Sequence, residues 1–426
     1  MKILLLGSGG REHALAWKLV QSPLCSALHI APGNAGTAQC GKNVDLSPLD
    51  FDGIRRYCGE EGIEMVVVGP EEPLVKGIVD IFAADSALRH IPVIGPSAAG
   101  AQLEGSKAFS KRFMDRYEIP TAAYREFNNE SFAEGITYLQ QHSLPIVLKA
   151  DGLAAGKGVV ICQNPVEAVA EYELMLQGNK FGAAGNKVVV EEFLTGIELS
   201  VFVLLDGQHY LLLPEAKDYK RVYEGDKGPN TGGMGAVSPV PFADDIFMEK
   251  VTSRIIVPTV NGLKAENIDY KGFLFIGVIK VGEDPFVIEY NCRMGDPETE
   301  VVMPRLKNDL VELFNAVSGQ RLQECRIGQD PRTACTVVAV SGGYPGSYEK
   351  GLAITGLDQP PTPDSLIFHA GTRAENDAVL TNGGRVLCVT SFAETVYEAV
   401  DKSRDVLEKI YYDGIYYRRD IGYEFL

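Results

Sequence analysis

The stretch Val287-Ile288-Glu289-Tyr290-Asn291-Cys292-Arg293-Met294-Gly295-Asp296-Pro297-Glu298-Thr299-Glu300 decides how the rest of the chain is read. Phe286, Val287 and Ile288 are strand formers, so the segment opens as a β-strand. Side chains two apart on a strand share a face, which puts Glu289 and Asn291 side by side. A carboxylate and an amide oxygen, with no His or Cys nearby, suit a hard cation such as Mg²⁺. Arg293 continues that face and can grip a carboxylate or phosphate through two parallel hydrogen bonds. Gly295-Asp296-Pro297 breaks the strand, and a helix is expected from Glu298 onward. Two readings are open at this point: a metal-holding strand end, or a strand end carrying a solvated charge cluster.

The remainder of the chain bears on that choice. Its 426 residues allow two to four domains. A hydrophobic fraction of 45% with 23% charged residues is that of a soluble globular protein. No apolar run approaches the roughly 20 residues that span a bilayer, and the first residues read as a strand, not a signal peptide. The eight cysteines form no C-x-x-C pair, so reduced structural thiols and a cytoplasmic location are expected. A net charge of −17 argues against a nucleic-acid surface. It leaves room for small anionic substrates, which local lysines and backbone N–H groups can bind. A monomer or weak dimer is expected, with no membrane partner.

Strands are expected at 3–6, 28–31, 65–68 and 91–94, each ending in a glycine-bearing turn, with helical stretches between them. That alternation predicts a parallel α/β sheet whose turns gather beyond the strand ends. The first turn, Gly7-Ser8-Gly9-Gly10-Arg11-Glu12-His13, precedes a helix expected over 14–20. It is not a dinucleotide fingerprint, because Glu12 replaces the third glycine and the second strand ends in Ala31-Pro32 without an acidic residue. What survives is a turn whose N–H groups can hold an anion, with Arg11 adding a charge.

In the central block, one helix is expected to open near Leu103 and run through Met114. Strands over 146–150 and 159–162 flank Asp151-Gly152-Leu153-Ala154-Ala155-Gly156-Lys157-Gly158. Strand, small-residue loop, strand makes a hairpin that can fold over a triphosphate, whereas a P-loop runs from strand into helix. Lys149 sits on the strand and Lys157 on the tip. The strand 187–192 leaves its pairing at Phe193-Leu194 and offers backbone groups to an adenine rim, with Glu198 near enough to accept from ribose hydroxyls. Residues 225–235 read as a glycine-rich loop, followed by a helix over 246–261 and a strand over 273–281.

These motifs together resemble the ATP-grasp enzymes. Lys149–Gly158, Arg293–Glu300, Gly9-Gly10-Arg11-Glu12-His13 and Asn230-Thr231-Gly232-Gly233-Met234-Gly235 narrow the resemblance to the phosphoribosylamine–glycine ligase (glycinamide ribonucleotide synthetase) family, along the whole chain. Met294 is a departure, since the family usually carries Phe or Leu there, and Met should substitute with small packing changes. The resemblance implies an N-terminal Rossmann-like α/β domain over 1–104. It further implies an ATP-grasp fold over 105–325, with a lid subdomain at about 122–190, and a small α+β domain over 326–426. It implies ATP-dependent ligation of glycine to 5-phosphoribosylamine through glycyl phosphate, in purine synthesis, with Mg²⁺ or Mn²⁺.

The site residues follow from the same resemblance. Lys107, Lys149, Gly156 and Lys157 would contact ATP phosphates, Glu191, Glu192 and Leu194 would frame the adenine, and Glu198 the ribose. Glu289 and Asn291 would hold the metal. Arg293 and Asp218 would orient glycine and the amine, while Gly9, Gly10, Asn34 and Glu71 would lie near the phosphoribosylamine. The acceptor of the amine proton is left open between Asp218 and Asp296. From about Asp330 the chain reads as strands at 335–340, 367–369 and 386–390 and a helix at 393–411, with His369 structural. A stand-alone chain of bacterial type is expected, with this last domain closing over the cleft.

Overall fold

The computed structural model describes residues 1–153, 158–178, 186–358 and 362–425. Gly156 and Lys157 therefore lie outside the described residues.

Five strands, β1 (Lys2–Gly7), β2 (Ala27–Pro32), β3 (Lys42–Asn43), β4 (Met65–Val68) and β5 (Val93–Pro96), pair in parallel in the order β3-β2-β1-β4-β5. Leu4, Leu6, Val66 and Val68 face one core and Ile3, Leu5, Met65 and Val67 the other. That two-sided burial is why these strands read as unbroken apolar runs. The helix after β1 begins at Gly10, not at Ala14, because Glu12 folds back and accepts from Gly9 N at 2.6 Å.

The central block holds two sheets. The smaller joins β6 (Tyr124–Asn128), β7 (Ile146–Ala150), β8 (Val159–Cys162) and β9 (Lys187–Glu192) in the order β6-β9-β7-β8. The β7–β8 hairpin pairs from Ile146↔Cys162 to Lys149↔Val159, as the sequence predicts. Phe127, Leu139, Leu148, Tyr172 and Val190 give this smaller sheet a core of its own. The larger sheet contains β10 (Ile197–Asp206) and β11 (Tyr210–Leu212).

After these come the short strands β12 (Lys217–Asp218), β13 (Arg221–Tyr223), β14 (Lys227–Asn230) and β15 (Gly235–Ser238), then β16 (Tyr270–Val281) and β17 (Asp284–Asn291). Strand β16 joins the domains: Tyr270 and Lys271 pair with β5 while Phe275–Val281 pair with β17. The glycine-rich loop contains β14, hairpinned to β13. All four β14 residues are exposed, so no apolar alternation announces the strand.

The helix expected from Leu103 is two helices, Ala98–Gly105 and Lys107–Arg116. Ser106 is extended between them and its Oγ caps Phe109 N. In the last third, β18 (Thr333–Val340), β19 (Ala353–Ile354), β20 (Ser365–His369), β21 (Thr372–Glu375), β22 (Ala378–Thr381) and β23 (Arg385–Ala393) precede the helix Val396–Leu407. That helix starts later than expected because β23 holds the chain through Ala393 and Thr395 caps Glu398 N. The main sheet of this domain runs β12-β15-β18-β23-β20, so two strands of the central block complete it.

Helix Gly10–Leu19 is buried on nearly every side, polar residues included. Each buried polar group is satisfied across a domain boundary or locally. Arg11 meets Glu12 at 2.6 Å and Met294 O at 3.2 Å, Lys18 donates to Leu306 O, and His13 Nδ1 accepts from His369 N at 2.7 Å. Burial lowers the pKa of His13 to about 3, with His369 adding repulsion, and burial lowers His369 to about 4.

A neutral imidazole in the fold and an ordinary one near 6.5 in the unfolded chain favour unfolding once pH drops below 6.5. This contribution is complete above that value and falls from pH 6.5 to about 4 for His369 and to about 3 for His13, by up to about 1.4 kcal/mol per pH unit per group. Apparent stability in urea should therefore fall faster with acidification in the parent than in His13→Gln. Parallel curves would mean the pair is not buried neutral.

Candidate active site

Strand β17 carries a β-bulge. Glu289 sits opposite Gly277 and Val287 opposite Val278, so Ile288 is the extra residue. Its carbonyl, which the ladder would otherwise take, accepts from Lys149 Nζ of β7 at 3.0 Å. Beyond the bulge the register is regular, with Tyr290 opposite Ile276 and Asn291 opposite Phe275. Glu289 and Asn291 therefore share a face.

Glu289 lines a small cavity with Glu198, Ser200, Asp218, Lys220 and Gly277. Burial pushes its pKa up, but Lys220, Lys149, Lys107 and Arg293 outweigh that and hold it below the ordinary carboxylate value. A roomier cavity of about 250 Å³ opens beside His209, Tyr210, Val257 and Lys264, away from every motif residue.

The cations around Glu289 come from different elements and are themselves held. Lys149 Nζ pairs with Glu191 at 2.9 Å, and Lys111 reaches the other oxygen of Glu191 at 3.3 Å. Glu191 is thus a buried bridge between two ammonium groups, not a free rim carboxylate. Burial brings Lys111 down to about 8 despite Glu191. Lys107 donates to Gly152 O at 3.0 Å, while Asp151 accepts from Ser106 Oγ at 2.9 Å and Ala108 N at 3.1 Å. The base of the hairpin is thereby tied to the start of the Lys107–Arg116 helix.

Glu192 accepts from Ala123 N at 2.8 Å, and Leu194 lies in the segment between β9 and β10, outside sheet pairing. Lys220 binds Glu198 at 2.7 Å and is the main reason Glu198 sits below its ordinary value.

Asp218 in the cavity lining and Glu298 behind Ser200 are both shifted upward. Asp218 is raised by burial, with Lys220 opposing and Glu198 reinforcing the shift. Glu298 is raised to about 7 by burial and then by Asp218, and its Oε1 accepts from Ser200 Oγ at 3.0 Å.

Strand β17 ends at Asn291, so Arg293 does not continue its face. It turns instead to Glu104 at 2.7 Å and Glu71 at 3.3 Å, and Cys292 N also donates to Glu104 at 2.8 Å. Met294 is buried, and its carbonyl accepts from both Arg11 and Arg293.

At the N-terminal turn, the Gly9 N–H is taken by Glu12 and Arg11 N meets Asp296 at 3.3 Å, so the protein's own carboxylates occupy the anion position. Gly10 is glycine because a Cβ there would collide with the Glu300 carboxyl. Asn34 donates to Ser8 O at 2.9 Å and His369 O at 2.8 Å, and accepts from Gly36 N and Thr37 N. Its amide is spent on fastening the first domain to the last. Asp296 is pushed up by burial but pulled below its ordinary value by Arg385 and Arg11, with Arg385 Nη2 at 3.1 Å.

Glu104, Lys111, Arg385 and Glu298 were not singled out from sequence. The contacts of Glu104 with Cys292 and Arg293, of Arg385 with Asp296, and of Glu298 with Ser200 join residues far apart in sequence, and no local pattern marks them.

Among the described residues no cluster of three His, Cys, Asp or Glu side chains could hold a metal alone. Glu289 and Asn291 supply two hard oxygens, which fits an ion that completes its shell with phosphate oxygens and water. The Asn291 Nδ2 position is buried without a partner, and an amide flip would present the oxygen there.

Family models describe residues 1–104, 105–299 and 334–424 as the N, ATP-grasp (A) and C domains of phosphoribosylglycinamide synthetase. The chain is 47% identical over 426 residues to phosphoribosylamine–glycine ligase of Vibrio cholerae and 48% over 428 residues to that of Escherichia coli. Each match covers 99% of this chain and 98% of the relative. The crystal structure of the Thermotoga maritima phosphoribosylamine–glycine ligase is similar at a TM-score of 0.84 and 36% identity, covering 99% of this chain and all of that one.

The Lys111–Glu191–Lys149 bridge yields a stability prediction. Glu191→Gln takes the shared carboxylate from between two buried ammonium groups and should cost about 3 kcal/mol. Glu192→Gln, which keeps an acceptor for Ala123 N, should stay within about 0.5 kcal/mol. Urea melts of the two variants decide it, and equal stabilities would refute the bridge.

Proposed function

The chain belongs to the phosphoribosylglycinamide synthetase family, and from that membership we propose that it joins glycine to 5-phosphoribosylamine with cleavage of ATP. The products are glycinamide ribonucleotide, ADP and phosphate, in a carbon–nitrogen ligation of de novo purine nucleotide biosynthesis. The observation that carries the reading is the Glu289 cavity. A buried carboxylate among Lys107, Lys149, Lys220 and Arg293 suits a nucleoside triphosphate with its divalent cation, and Asp218 beside it suits an amine.

In this reading Lys149 spends two of its three N–H groups on Glu191 and Ile288 O and has one left for phosphate. Lys107 spends one on Gly152 O and has two left. Glu192, Leu194 and the backbone after β9 frame the adenine. Glu191 acts there by fixing Lys149, and Glu198 keeps Oε1 for a ribose hydroxyl while Oε2 holds Lys220. Glu289 and Asn291 would hold Mg²⁺ or Mn²⁺, which when bound neutralises charge on the β- and γ-phosphates.

Glycine binds as a carboxylate, already ionised, so its phosphorylation needs alignment and charge neutralisation and no general base. Arg293 supplies the alignment. Glu104 and Glu71 lock its guanidinium, so little freedom is lost when a carboxylate binds. The lid excludes water from the glycyl phosphate that results.

The amine of phosphoribosylamine then attacks the acyl carbon. Phosphate leaves with the bonding pair, and the amine nitrogen sheds a proton. Asp218 is the better acceptor of the two that the sequence left open, because Asp296 is committed to Arg385 and Arg11. Its raised pKa moves it toward the range where a general base works at neutral pH. Asn34, Gly9 and Gly10 shape the wall of the amine site through backbone positions, with Glu71 at its edge.

Phosphate release from ATP tests the assignment, with glycine, other amino acids or bicarbonate offered, and with or without freshly made phosphoribosylamine. Turnover should require glycine and the amine together; turnover indifferent to glycine would sink it. Asp218→Asn should lower kcat by about 10²-fold with the ATP KM unchanged, and Glu104→Gln should raise the glycine KM more than it lowers kcat.

A further inference from the structure

The last residues of the chain are tied to the hairpin that follows Asp218. Arg418, fully buried, pairs with Asp420 at 2.8 Å and Asp226 at 2.7 Å and donates to Arg221 O at 3.0 Å. Gly225 N donates to Asp420 at 2.7 Å, and Tyr423 OH to Asp226 at 2.9 Å. The strap ends on Glu424, whose two oxygens take Lys217 Nζ at 2.7 Å and Tyr219 OH at 2.9 Å. Lys217 also lies 4.0 Å over the Tyr219 ring. Burial, with Glu424 adding to it, drives the Tyr219 phenol far above its ordinary value, so it keeps the proton that it donates to Glu424.

Lys217 precedes Asp218 on β12, and Tyr219 follows directly after the strand with its N–H donating to Gly235 O at 3.0 Å. Neighbouring residues on a strand point to opposite faces, so fixing both flanks from the strap side turns Asp218 toward Glu198, Lys220 and Glu289. Ser200 pairs with Ala216 in an antiparallel bridge, which brings β12 alongside β10. The strap thus holds one side of a two-residue strand whose other side borders the cavity, and such a short strand has little pairing to hold it by itself.

We propose that Glu424 is a positioning residue: it clamps Lys217 and Tyr219 and thereby sets the carboxylate of Asp218 for the amine-transfer step. This rests on the role proposed above for Asp218. It gives the C-terminal end a part in the chemistry although no residue of the strap touches substrate. A displacement of about 1 Å in a reacting group can cost up to about 10²-fold in rate, and loss of one clamp should cost less.

A double-mutant cycle separates positioning from general stabilisation. At saturating substrates Glu424→Ala should lower kcat roughly 10-fold and leave the ATP KM unchanged. In the Asp218→Asn background the same substitution should cost less than about 2-fold, because the group it positions has already been removed. If Asp218→Asn is as active as the parent, the reading of Asp218 fails and the positioning role with it. If Asp218→Asn is slow while Glu424→Ala is parent-like, or the two effects multiply, the positioning role alone is overturned. Should Glu424→Ala lower the yield of folded protein, Tyr219→Phe removes a single hydroxyl and repeats the cycle, with a loss of about 3-fold expected and multiplicative effects overturning the proposal.

Discussion

A buried carboxylate kept ionised is the constraint on which the rest of the molecule depends. An isolated charge at the depth of Glu289 would cost several kcal/mol and would shed itself by protonation. It stays charged because Lys220, Lys149, Lys107 and Arg293 surround it. Those four residues come from the segment after β12, strand β7, the helix after Ser106 and the chain just past β17. Each cation has its own carboxylate or carbonyl holding it in place: Glu198, Glu191, Gly152 O and Glu104. Removing any one of the charged side chains leaves an excess of one sign in a medium that screens poorly. The site therefore specifies how the domains meet, and the domains in turn keep the site charged.

The joints between domains bury polar groups alongside the shared apolar cores. Helix Gly10–Leu19 buries Arg11, Glu12, His13 and Lys18, and Asn34 fastens β-sheet turns of the first domain to backbone carbonyls of the last. Apolar contact is non-directional, whereas hydrogen bonds with fixed partners define one relative placement. Arg385 works the same way, binding Gly232 O, Asp296 O and the Asp296 side chain from the far domain. The bulge at Ile288 is the local counterpart, since one carbonyl left out of the ladder gives Lys149 its seat.

What the sequence revealed was whatever local pattern controls. Strands buried on both faces, such as β1 and β4, announced themselves as apolar runs, and the β7–β8 hairpin by two strands around small residues. The Glu289–Asn291 pair was legible because alternation survives beyond the bulge. Exposed β14 was not, since nothing in Lys227–Asn230 alternates. Neither was the helix break at Ser106, which a single hydroxyl makes by capping one helix and binding Asp151. Glu104 and Arg385 were invisible because their partners are far along the chain. Arg293 illustrates the limit: its chemistry was readable, but its direction was set by Glu104 and Glu71 and not by strand periodicity.

Binding of Mn²⁺ in the presence of a non-hydrolysable ATP analogue, followed by electron paramagnetic resonance in the parent and in Glu289→Gln, addresses the central claim most directly. The substitution keeps the size of the side chain and removes only its charge. The account predicts that Mn²⁺ affinity in the ternary complex falls by about 10-fold or more. Equal Mn²⁺ affinity in the two proteins would contradict it.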